Sequence, residues 1–137
     1  MHRVLPIALA ALMIAAHPAA AVAQNGVPTS TRHGVYTRTQ ALRGEDIYAG
    51  NCRSCHTPES HTGSMFRTRW DGRPLSELYL YIVEAMPKAD PGSLSPQEYA
   101  DVLAYLLRLN RMPQGDADLP ADPAALKTVR IETEKSP

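Results

Sequence analysis

Two cysteines and a histidine stand together in Cys52-Arg53-Ser54-Cys55-His56, and these are the only cysteines in the chain. Two thiols separated by two residues can each add across one vinyl group of a haem. The adjoining imidazole is then carried beneath the iron as a ligand, which is the chemistry of a C-x-x-C-H segment. Three other uses of the pair fit the chain less well. A disulfide between Cys52 and Cys55 would close too small a loop to add much stability. A thioredoxin-like pair needs a strand before the motif, whereas the preceding residues follow a helical pattern. Structural zinc needs two further ligands at matching spacing, and beyond residue 23 only His33 and His61 remain. Haem c, one and covalently bound, is the cofactor this segment predicts.

A haem that only carries electrons needs a sixth ligand to its iron, and the candidates are Met65, Met86, Met112, His33 and His61. His61 and Met65 follow His56 by five and nine residues, little chain with which to reach the opposite face of a macrocycle. Met112 and His33 flank the helical region and would need a terminal arm folded over the haem. Met86 lies thirty residues past His56, at the end of an amphipathic stretch that Pro87 stops. Its soft thioether suits a haem iron and raises the potential relative to two histidines. The predicted site is therefore Cys52 and Cys55 for attachment, with His56 and Met86 as axial ligands.

The elements that must position these groups are helical. Thr37 with Gln40 predicts a capping box, after which Ala41, Gly44, Tyr48 and Asn51 share one face of a helix running to Cys52. Gly44 within it costs about 1 kcal/mol relative to alanine, and its use would be a close helix crossing. A second helix begins near Pro74, carries Leu75, Leu78, Tyr79 and Ile82 on one side, and ends near Ala85 to deliver Met86. Asp90-Pro91-Gly92 reads as a turn. Ser95-Pro96-Gln97-Glu98 is a capping box with proline at the first helical position, followed by Tyr99, Val102, Leu103, Leu106 and Asn110 at helical spacing. Trp70 sits among Arg67, Arg69 and Arg73, a cluster suited to haem propionates or a docking surface, or else a solvated loop around one indole.

The ends of the chain read differently. Met1-His2-Arg3, the apolar run Val4–Ala16 and Ala21-Val22-Ala23 predict a secretory signal over 1–23, and hence an exported, periplasmic protein. An uncleaved anchor is disfavoured by His17 and Pro18, so no stable membrane insertion is expected. A polar leader over 24–37 precedes the domain at 38–112, and 113–137 form a Pro-rich extended tail with a short helical turn near Ala121–Leu126. Fourteen basic and fourteen acidic side chains leave no basic footprint for nucleic acid.

Over residues 40–112 the chain resembles a class I mono-haem cytochrome c, of the kind associated with bacterial periplasmic quinoprotein and related dehydrogenases. The resemblance is carried by Gly44-Glu45-Asp46-Ile47-Tyr48, Trp70-Asp71-Gly72-Arg73-Pro74-Leu75, Met86-Pro87, Pro91-Gly92-Ser93-Leu94-Ser95 and Tyr99 through Leu107. It implies an all-α cytochrome c fold, three to four helices around one haem, with the first and last helices crossing so that Gly44 and Tyr48 meet Val102 and Tyr105. It also implies one-electron transfer rather than an enzymatic reaction, with a periplasmic dehydrogenase as donor and a membrane oxidase or another cytochrome as acceptor. The competing readings are a haem enzyme or gas-binding protein with an open sixth site, and a non-haem metal module. Family members usually have a Gly-Pro segment downstream of the haem histidine, whose proline carbonyl accepts the ring N–H. Here Thr57–Thr68 holds only Pro58, so the group that orients His56 must come from elsewhere.

Overall fold

Local signals start and stop the helices. The computed structural model describes residues 28–134, so the predicted signal over 1–23 lies outside the described residues. Helix α1 spans Arg38–Asn51, α2 Gly63–Trp70, α3 Leu75–Ala85, α4 Pro96–Leu109 and the single turn α5 Pro123–Leu126. Two 3-10 turns, Thr31–His33 and Pro58–His61, complete the regular structure. Among the described residues there is no strand, only isolated bridges joining Arg130 to Ser30 and to Pro74. The described architecture is all-α, as the resemblance implies.

At α4 the cap is complete in both directions: the Ser95 N–H donates to Glu98 at 2.7 Å, and the Glu98 N–H donates to Ser95 Oγ at 3.3 Å. At α1 it is half formed. The Gln40 N–H donates to Thr37 Oγ1 at 3.0 Å, but the Gln40 carboxamide turns away to the tail. There its Nε2 donates to the Leu119 carbonyl at 2.9 Å and its Oε1 accepts from the Leu119 N–H at 2.6 Å. A fully buried carboxamide needs both partners, and an extended segment needs both of its backbone groups satisfied.

Helices α1 and α4 cross where Gly44 allows. A Cβ on Gly44 would lie 1.8 Å from the Asp101 carbonyl oxygen and 2.9 Å from the Val102 nitrogen. One turn on, the Tyr48 and Tyr105 rings meet at 5.2 Å between centroids. The expected crossing is thus present, with Asp101 as an additional member. Its buried carboxylate takes a two-point hydrogen bond from Arg43, at 2.8 and 3.1 Å, and another from Gln97 at 2.8 Å. The bonds from Arg43 to Asp101, and a further one to Asp118, hold the Arg43 guanidinium above its ordinary pKa. Gly44→Ala is expected to destabilise the holoprotein by about 3 kcal/mol, because the obstacle is backbone and cannot rotate aside. Urea denaturation followed by far-UV circular dichroism would check this, and an unshifted midpoint would count against the crossing.

Helix α2 lies where the sequence pattern predicts no helix. Neither side chain nor acidic residue marks its start, and only Phe66 and Trp70 of its eight residues are buried. Trp70 is the buried indole of the arginine cluster, at 7% exposure with its ring 5.6 Å from that of Tyr81, but it ends a helix and does not sit in a loop.

Over residues 113–134 the chain has no regular structure apart from α5, the short turn expected there, yet Leu119, Leu126, Val129 and Ile131 are fully buried. Backbone hydrogen bonds place this segment. Leu75 N–H donates to Val129 at 2.8 Å, Gly72 N–H to Ile131 at 2.7 Å and Ile131 N–H to Arg73 at 2.9 Å. Thr133 donates twice to Asp71, through its N–H and its hydroxyl, each at 2.7 Å. The tail thus straps the corner between α2 and α3, and Arg130 N–H ties it to Thr29 at 2.8 Å. Residues ahead of α1 share this core, with Val35 and Tyr36 buried.

Candidate haem site

One cavity of about 330 Å³ opens between the end of α1, the Pro58–His61 turn, α2, α3 and α4. Cys52, Cys55, His56 and Met86 all line it, so the fold brings together the four residues selected from the sequence. Both thiols are free, Cys55 exposed and Cys52 half-buried. The walls are apolar, with Phe66, Leu78, Ile82, Val102 and Leu106 among them.

Each of the two predicted axial residues is held through its backbone carbonyl by a tyrosine. Tyr48 OH donates to the His56 carbonyl at 3.2 Å, and Tyr99 OH donates to the Met86 carbonyl at 2.7 Å. The Met86 N–H closes α3 on Ile82 at 2.9 Å. The sequence reading placed Tyr48 and Tyr99 on helix faces but did not assign them to these carbonyls. A hydroxyl donor at the edge of an apolar stripe was the available signal. Burial, followed by the neighbouring Cys52 and Tyr105, pushes the Tyr48 phenol up to about 12, so it remains a donor at any ordinary pH. Burial likewise pushes the Cys52 thiol up.

The remaining ligand candidates separate by position. Met112 is buried in the core and His33 is exposed on the first 3-10 turn, and neither lines the cavity. Met65 lines it but is 68% exposed. His61, set aside by reach, also lines the cavity, beside His56 itself with 5.0 Å between ring centroids. Burial, then the His56 ring, lower the His61 pKa and favour its neutral form.

Two of the arginines near Trp70, Arg69 and Arg73, lie over aromatic rings. The Arg69 guanidinium lies 4.3 Å from the Tyr81 ring centre and 5.1 Å from that of Trp70, and the Arg73 guanidinium lies 5.2 Å from that of Trp70. Arg73 also pairs with Glu77 at 2.5 Å. Of the three arginines, only Arg69 lines the cavity.

Packed helices around an apolar cavity whose wall carries a Cys-x-x-Cys-His segment define a c-type cytochrome domain. Residues 39–106 match the family model described as cytochrome c oxidase, cbb3-type, subunit III. The chain belongs to the mono-haem c-type cytochromes, whose chemistry is haem-based electron transfer. No curated protein and no solved structure matches it. Among the described residues, no helix is long and apolar enough to cross a membrane.

Proposed function

We propose that the protein is a periplasmic one-electron carrier with a single haem c, attached through Cys52 and Cys55 and ligated by His56 and Met86. The observation that carries this reading is the convergence of two free thiols, an imidazole and a thioether on one apolar cavity. That donor set fits a covalently bound haem, which when present supplies a ferric/ferrous couple. The chain's own residues do the rest. Cys52 and Cys55 fix the cofactor, Tyr48 and Tyr99 hold the backbone that carries the two ligands, and the apolar walls exclude water, which disfavours the more highly charged state.

The signal-like residues 1–23 support export. The donor in this proposal is a periplasmic dehydrogenase, and the acceptor is a membrane oxidase or another cytochrome. The description of the matching family names an oxidase subunit, which supports an oxidase at the accepting end.

Intact-mass analysis together with a carbon monoxide difference spectrum of the reduced, purified protein tests the reading. The expected result is one haem per chain, retained under denaturing conditions, and no spectral change with carbon monoxide. Stoichiometric carbon monoxide binding would instead favour a ligand-binding or catalytic haem protein. A chain without covalent haem would return the cysteine pair to non-haem chemistry.

A further inference from the structure

We propose that His61 is the positioning residue for His56, its imidazole accepting the hydrogen bond that fixes the ring plane of the proximal ligand. This rests on the haem reading above, since only an iron-bound imidazole has one nitrogen committed and the other left as a donor. A histidine bound to a metal through one nitrogen needs an acceptor for the other N–H, and that acceptor sets ring orientation and ligand strength.

The geometry points to His61. The two rings are 5.0 Å apart between centroids and inclined at 53°. The two rings are not hydrogen-bonded in this structure, but at that separation a rotation that turns their nitrogens toward each other brings them within the roughly 2.7–3.2 Å of a hydrogen bond. His61 is itself held from two sides. Its ring packs edge-on against Tyr48 at 5.9 Å, and its backbone carbonyl accepts from Asn110 Nδ2 at 2.8 Å. Helices α1 and α4 thereby fix the Pro58–His61 turn over His56. Tyr48 OH is on the His56 carbonyl and not on its ring. Among the described residues, His61 is the imidazole placed against that ring.

An acceptor on the distant nitrogen makes the ligand a stronger donor to iron and so favours the ferric form. Spectroelectrochemical titration of the holoprotein is the test. His61→Leu is expected to raise the ferrous-to-ferric ratio at fixed potential about tenfold, which is about 59 mV for a one-electron couple. His61→Gln, whose amide oxygen can accept, is expected to recover most of that shift. An unchanged potential in His61→Leu, or equal shifts in both variants, would overturn the role of His61.

Should His61→Leu fail to fold, the wild-type ferrous holoprotein labelled with 15N-histidine decides alone. Scalar coupling between the two rings across N–H···N is expected. A His56 ring proton without that coupling would overturn the proposal. A chain found to carry no haem would remove both readings, whereas bound haem with His56 ligation intact and no His61 effect removes only this one.

Discussion

A chain ending at Asp116 is expected not to fold, although every predicted haem residue and all of α1 to α4 would be retained. The truncation removes Leu119, Leu126, Val129 and Ile131, each 0–1% exposed. Burying one such side chain is worth about 1.5–3 kcal/mol, so four approach the roughly 5–15 kcal/mol by which a whole domain is stable. It also orphans the buried Gln40 carboxamide, which loses both of its bonds to Leu119, at about 1–3 kcal/mol for each group left unsatisfied. The Asp71–Pro74 corner loses the Val129 and Ile131 partners that hold it. Recovery of soluble, haem-bearing protein and its thermal melt would check the prediction. A truncated chain melting within a few degrees of the full one would show that the tail packs without stabilising.

That result would expose where the sequence was and was not informative. Helix α4 was readable because Ser95, Pro96 and Glu98 form a complete local start signal and the apolar stripe behind them keeps the helical period. Gly44 was readable for a different reason: a residue unfavourable in a helix needs a cause outside it, and the Asp101 carbonyl is that cause. The tail carries no such pattern. Val129, Ile131 and Thr133 alternate inward over a stretch too short to announce an element, and Leu119 and Leu126 do not share that two-residue period, because the placement of the segment comes from hydrogen bonds to a distant corner. Gln40 shows the same limit within a motif. Its position three residues after Thr37 looks like a local cap, yet its side chain is engaged seventy-nine residues away. Helix α2 starts at Gly63 without a side-chain cap, so only tertiary contacts mark it.

The four proposed haem residues were chosen from residue type and spacing, and the fold assembles them at one cavity. His61 was judged only as a ligand for the opposite face. Chain length to the opposite face says nothing of the near side, where His61, five residues on, has its ring beside His56. Spacing tells which residues are too close to reach around a cofactor. It does not tell which of them are close enough to support it.

Met86→Ala is expected to convert the reduced protein from one that ignores carbon monoxide to one that binds it at one molecule per haem. The reason lies in how firmly the residue is carried. Its N–H ends α3 on Ile82, its carbonyl receives Tyr99 OH at 2.7 Å, and its half-buried side chain lines the cavity. Shortening that side chain removes the thioether without disturbing the backbone that delivers it. No other candidate is placed to substitute: Met112 and His33 lie off the cavity, Met65 is turned largely to solvent, and His61 stands beside His56. Met86→His should close the position again but lower the midpoint potential, since a second imidazole favours the ferric state more than a thioether does. Carbon monoxide difference spectra and redox titrations of the two variants separate these effects. If Met86→Ala stays inert to carbon monoxide, Met86 is a packing residue, and the sixth ligand must come from a rearranged His61 or Met65.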